Sequence, residues 1–242
     1  MPQAIVTQLR SLQEQASPAE SKHLYKNLIT LLTHARSNKM SPVVTFVMKN
    51  RPGRLLDIGC GYGALAIFFA IQGIDVTGID LRQNELDACA KLAATLGIQN
   101  ITMMRMDACA ISLSGFDMVI STDFYEHLSY DDQPRHLRSV WNALNPGGAY
   151  VIRAPHRSNI RQQHSEEHIG LPSFKSIQQQ ASEVGFIVHF AIAHTGILSP
   201  FIYHTTLEQW FESRNWNALT LYKRLQKFGL ANVVAYLEKP AS

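Results

Sequence analysis

The chain has 242 residues, enough for one large α/β domain or one domain with an appended cap, and long enough to bury a substantial core. Its 46% apolar and 17% charged residues exclude a disordered or membrane-embedded chain, and a net charge of +3 from scattered Lys and Arg gives no block pointing to nucleic acid. Cys60, Cys89 and Cys109 form no CxxC pair and no zinc spacing, so they read as reduced thiols of a cytoplasmic protein. The N-terminus carries no long apolar leader, and no stretch reaches the length of a membrane span.

Residues 1–50 are helical in character and are expected to form a cap. Ser17-Pro18-Ala19-Glu20 offers an N-cap, a proline at the first helical position and a glutamate at the third. Leu24, Leu28, Leu31 and Leu32 then recur at helical spacing, and a second helix is expected over about 42–48. From Gly53 onward, strands are predicted at about 53–58, 74–79, 99–105, 116–122 and 148–154, with helices at about 62–72, 82–96 and 131–144. Such βαβ alternation implies a doubly wound, mostly parallel sheet with helices on both faces. A helix at about 173–184 and a strand over 186–193 follow. A lid-like insertion at about 196–230, carrying Phe201, Tyr203, Trp210 and Trp216, leads to a last strand over 232–237. The core domain is thus expected to run over 51–242.

The sequence Asp57-Ile58-Gly59-Cys60-Gly61-Tyr62-Gly63-Ala64 falls between the first strand and its helix. A glycine turn there leaves room for a nucleotide ligand against the main chain, and the helix adds free N–H groups and a positive dipole end. Acidic or polar residues close the next strands: Asp80 at the second, 21 positions after Gly59, Asp107 at the third, and Thr122 with Asp123 at the fourth. Ligands of open α/β sheets bind outside these carboxyl ends, and Asp80 stands where a carboxylate accepts bonds from ribose hydroxyls. Two cofactors fit. Gly59-x-Gly61-x-x-Ala64 satisfies the dinucleotide fingerprint of an NAD(P)-dependent oxidoreductase, but Asp57 would then face a like-charged pyrophosphate. A sulfonium ligand carries positive charge, and the sign favours S-adenosylmethionine.

The run Leu55 to Gly63 resembles motif I of the class I S-adenosylmethionine-dependent methyltransferases, closest in flavour to the small-molecule and lipid or quinone members. Gly78-Ile79-Asp80-Leu81, Asp107-Ala108, Phe116 to Ser121 with Glu126-His127-Leu128, and Leu144 to Tyr150 resemble further segments of that family in its order. The resemblance covers about residues 53–155 and implies a Rossmann-like sheet of seven strands with an antiparallel seventh. It also implies that Asp57, Gly59, Cys60, Gly61 and Gly63 hold the methionine moiety, Asp80 the ribose, Leu81 a face of the adenine, Asp107 and Ala108 its edge, and Thr122 the amino-acid portion. A non-catalytic methyltransferase-fold partner is disfavoured by the intact set of cofactor residues.

Methyl transfer from a sulfonium is an in-line displacement, so alignment and exclusion of water are the protein's main tasks. A hydroxyl acceptor also needs a base. His127, beside Glu126 and Tyr125 after the fourth strand, and His156 just past the fifth are the candidates. His164 and His168 are four apart but precede a helix rather than lie on one, so no metal site is expected. The expected partner is a small-molecule acceptor, with an apolar, aromatic or carrier-linked one if 196–230 is a lid.

Overall fold

A computed structural model describes residues 2–35, 40–159, 162–193 and 232–241. The insertion expected at 196–230 lies outside these residues.

Helix α1 spans Pro2–Glu14. Helix α2 (Pro18–Glu20) opens on the capping box read from the sequence: Ser17 accepts the Glu20 amide while the Glu20 carboxylate accepts the Ser17 amide. A π-helical turn over Ser21–Lys26 carries it into α3 (Asn27–His34), and α4 (Ser41–Asn50) follows. The core alternates β1 (Arg54–Ile58), α5 (Ala64–Ile71), β2 (Asp75–Asp80), α6 (Gln83–Thr95), β3 (Ile101–Arg105) and β4 (Phe116–Thr122). It continues with a 3₁₀ turn at Tyr125–His127, α7 (Asp132–Ala143), β5 (Leu144–Pro155), α8 (Phe174–Val184), β6 (Ile187–Ala193) and β7 (Asn232–Glu238).

The seven strands form one sheet in the order β3-β2-β1-β4-β5-β7-β6. β1 through β5 pair in parallel, and β7 runs antiparallel to both of its neighbours. Central strands buried on both faces read as continuous apolar runs. In β1, Leu55 packs into the core on one side, and Leu56 and Ile58 into the core on the other. A register shift between Phe116 and Met118 lets Phe116 join the same side as Val119, against the usual alternation of a strand.

β5 is irregular over 145–148: the pairing passes from Phe116 with Leu144 to Met118 with Ala149, and Gly147 adopts φ of +78°.

Helix α5 reads Ala-Leu-Ala-Ile-Phe-Phe-Ala-Ile and is apolar all round, so it must be covered on every side. Leu24, Leu28 and Leu31 from the N-terminal helices join Leu65, Phe68 and Phe69 in one cluster, each at most 8% exposed. That burial brings the N-terminal segment over the carboxyl ends of the central strands. The strand order reverses between β1 and β4, which is where an open α/β sheet leaves a crevice.

Candidate functional site: the crevice between the glycine loop and the end of β4

The glycine turn is fixed by β2. The amides of Gly59 and Cys60 donate to the Ile79 carbonyl at 2.9 and 3.2 Å. Gly59 and Gly63 adopt φ of +63° and +71°, the left-handed region that favours glycine. A Cβ on Gly59 would overlap the Phe124 ring, and one on Gly63 would overlap Cys89 Sγ. At these two positions it is the protein's own packing, rather than a ligand, that claims the space.

Asp57 enters the site from β1 and is 2% exposed. Burial, reinforced by the charge of Asp80, pushes its carboxyl up to about 8, so without a cationic partner it holds a proton at neutral pH. Asp80, at the end of β2, accepts the Gly61 amide at 2.8 Å through one oxygen and the Arg82 amide at 3.0 Å through the other. Arg82 Nε stands 3.5 Å from that second oxygen, and the oxygen facing Gly61 keeps a lone pair. Arg82 also pairs with Glu85 at 3.0 Å, across the mouth of the loop.

Opposite stands the end of β4. Asp123 has φ of +53°, a left-handed conformation that aspartate tolerates better than most residues, and its carboxylate pairs with the buried Arg153 of β5. Between the two walls lies a cavity of about 580 Å³. Asp57, the glycine loop, Arg82, Glu85, Thr122 and Asp123 line it from the core, while His23, Asn27, Thr30, Leu31 and Met40 close it from the N-terminal side. The sequence reading missed these five and Tyr62. The all-apolar α5 was the signal, since whatever covers it must also reach the loop at its N-terminus.

Asp57, Gly59, Cys60, Gly61, Gly63 and Thr122 therefore meet at one cavity. Asp80 stands behind the loop it braces. Leu81 is 60% exposed, and Asp107 is exposed with one oxygen accepting the Cys109 amide at 2.8 Å; neither they nor the buried Ala108 lines the cavity.

Two of the expected catalytic groups are buried and stand apart from the cavity lining. Tyr125 is fully buried and donates its hydroxyl to Gln180 of α8 at 3.2 Å, so it is a core residue. His156 is 6% exposed, stacks on Phe174, and accepts the Ser158 amide at Nδ1 at 3.0 Å. Its proton is then on Nε2, which makes it a donor rather than a base. Burial and the Arg157 charge pull it down to about 4. In His127, Nδ1 stands 2.9 Å from the Glu167 carbonyl, which can only accept, so in the neutral ring Nε2 is the lone-pair nitrogen. Glu126 is buried, and a donor atom of each of Glu126, His127 and His168 lies within 4.8 Å of the others. His164 is exposed and stands outside this group.

A doubly wound sheet with an antiparallel seventh strand, a glycine loop after β1 and acids at the strand ends is the Rossmann-like arrangement of the class I S-adenosylmethionine-dependent methyltransferases. Residues 55–148 match the family described as Methyltransferase domain. The chain is 32% identical over 109 residues to a ubiquinone biosynthesis O-methyltransferase of Psychrobacter cryohalolentis, covering 43% of this chain and 42% of that one. It is 24% identical over 145 residues to a tuberculostearic acid methyltransferase of Mycobacterium tuberculosis, covering 58% and 34%. The match thus spans well under half the length of these curated relatives. The fold is similar to that of magnesium protoporphyrin IX methyltransferase from Synechocystis with bound SAH, with a TM-score of 0.60 at 14% identity over 93% of this chain and 89% of that one. S-adenosylmethionine is the cofactor of this class, and the site fits it: a buried acid whose charge awaits a cation, beside a bare amide loop.

Among the described residues, no helix is long and apolar enough to cross a membrane.

Proposed function

We propose that this protein transfers the methyl group of S-adenosylmethionine to an oxygen or nitrogen of a small-molecule acceptor in the cytoplasm. The observation that carries this reading is the cavity that joins the buried Asp57 and the glycine loop to Thr122 and Asp123 beneath the N-terminal helices. Oxygen is the favoured atom, because the Glu167 carbonyl at Nδ1 leaves Nε2 of His127 as the nitrogen to take a proton from a hydroxyl and because a relative at 32% identity is named an O-methyltransferase.

S-adenosylmethionine supplies a methyl on a positive sulfur, and when the acceptor's lone pair bonds to that carbon the carbon–sulfur bond breaks with its electron pair staying on sulfur. The protein's part is alignment. Asp57 gives up its proton and pairs with the positive charge, and the loop amides and Thr122 orient the amino-acid end. Asp80 offers its remaining lone pair to the ribose hydroxyls. His23, Asn27 and Met40 keep bulk water from the reacting atoms.

Calorimetry tests the cofactor: saturable, one-to-one binding of S-adenosylhomocysteine with none of NADH is expected, and the reverse overturns the reading. Incubation with a labelled methyl donor and a panel of hydroxyl- and amine-bearing small molecules tests the acceptor. Label appearing solely on protein or nucleic acid would defeat the small-molecule assignment.

A further inference from the structure

The turn after β4 and the loop 162–171 are tied together by more hydrogen bonds than a passing loop contact needs. Gly170 donates its amide to the Glu126 carbonyl at 3.0 Å, and the buried Gln133 donates to the Gly170 carbonyl at 2.6 Å. Tyr130 donates its hydroxyl to the Leu171 carbonyl at 3.2 Å, and a Cβ on Gly170 would overlap the Leu128 carbonyl. The result is that His168 is brought beside Glu126 and His127, with the two imidazoles edge to face at 5.1 Å.

Both rings are pinned in the same way. His127 Nδ1 is 2.9 Å from the Glu167 carbonyl and His168 Nδ1 is 3.0 Å from the Gln162 carbonyl. A carbonyl oxygen can only accept, so both Nδ1 atoms carry a proton and in the neutral rings Nε2 is the lone-pair nitrogen. Histidines that ligate metals are oriented by such a bond from the other ring nitrogen to a backbone carbonyl. The third member is a carboxylate that is 1% exposed, and one donor atom from each of the three lies within 4.8 Å of the others. Metal–ligand bonds of about 2.0–2.2 Å place ligand atoms roughly 3–4 Å apart, so the trio needs to draw in by about 1–2 Å at most.

We propose that Glu126, His127 and His168 bind a divalent cation of borderline hardness, of the Zn²⁺ type, whose open positions hold the oxygen of the methyl acceptor. Two imidazoles and one carboxylate suit such an ion better than Mg²⁺ or Ca²⁺, which prefer oxygen ligands throughout. Three protein ligands leave room for water or substrate. The second half of the proposal rests on the methyl-transfer reading above. A hydroxyl on the cation loses its proton to water more readily; the resulting oxygen lone pair forms the bond to the methyl carbon while the carbon–sulfur pair stays on sulfur, and the cation's charge is unchanged. His127 is then a ligand instead of the base itself.

The test uses tag-free full-length protein, stripped with a chelator, titrated calorimetrically with ZnCl₂ and, in separate runs, with MgCl₂ and S-adenosylhomocysteine. One equivalent of Zn²⁺ is expected to bind, with Mg²⁺ at least about 100-fold weaker. His168→Ala and the near-isosteric Glu126→Gln should each weaken Zn²⁺ by about 100-fold or more while S-adenosylhomocysteine binds as in the wild type. Absence of a one-equivalent Zn²⁺ site, or a site untouched by both variants, overturns the proposal. S-adenosylhomocysteine binding by stripped protein that takes no Zn²⁺ would sink the cation site alone, whereas failure to bind S-adenosylhomocysteine would sink the methyl-transfer reading.

Discussion

The carboxylate of Asp80 accepts the amide of Gly61 at 2.8 Å, so the end of β2 braces the turn that follows β1. Asp80 thus shapes the cradle from behind the loop. Asp80→Ala removes both the Gly61 and Arg82 bonds. Chemical denaturation should show a loss of about 1–3 kcal/mol, and calorimetry a weakening of S-adenosylhomocysteine by about 1.5–3 kcal/mol, since bonds to a charged group are the stronger kind. Wild-type affinity in a folded variant would mean that the ribose is held elsewhere.

Asp57 makes cofactor binding a proton-linked event. Its carboxyl, raised to about 8 by burial and by Asp80, must ionise to meet a cationic ligand. Affinity for S-adenosylmethionine should therefore rise by about tenfold per pH unit between pH 6 and 7 and level off near 8, with proton release visible as a dependence on buffer ionisation enthalpy. Asp57→Asn should flatten that rise. For folding the sign is opposite: the folded state holds a proton that the unfolded carboxyl sheds near 3.8, so stability falls as pH climbs. Between pH 6.5 and 8 the wild type should lose about 1–2 kcal/mol that Asp57→Asn keeps, as read by urea denaturation.

What the sequence made legible follows from what is local. Capping at Ser17, the helix stop at Gly185 and the apolar runs of β1 and β4 depend on near neighbours, and the elements fall within a few residues of their predicted bounds. The glycine loop and the strand-end acids were legible because one turn carries them. Pairings across the chain were not. Nothing near Tyr125 announces that Gln180 will take its hydroxyl, nothing near His156 says that Ser158 will donate to its ring, and the meeting of His168 with His127 depends on a loop 40 residues away.

Behind the crevice runs a directional chain of buried groups. The Ala108 carbonyl, 2.9 Å from His136 Nδ1, puts the proton there, so Tyr150 donates its hydroxyl to Nε2 at 2.7 Å and accepts from Ser121 at 2.7 Å. Burial holds His136 down to about 4, against 6.5 when unfolded. Between these values the unfolded state takes up a proton that the folded state refuses, so this contribution is intact above pH 6.5 and is lost as pH falls toward 4. Tyr150→Phe should cost about 1–3 kcal/mol at pH 7, because it strands both neighbours. His136→Phe should flatten the stability loss between pH 6.5 and 4; an unchanged acid slope would assign that loss to other groups.

His127 and His156 should separate kinetically. On the proposed methyl-transfer reading His127 serves the acceptor as base or as ligand to a cation, and His127→Ala should then lower kcat by about 10²–10⁴ with S-adenosylmethionine affinity unchanged. His156 has its Nδ1 lone pair committed to the Ser158 amide and its ring stacked on Phe174, so His156→Asn should act through stability. Its turnover at 20 °C should stay within about tenfold of the wild type, with the acid limb of the pH–rate profile unmoved, because a group at about 4 is neutral throughout the working range. A His156→Asn enzyme that is folded yet loses the acid limb would return the base to the end of β5 and remove it from the turn after β4.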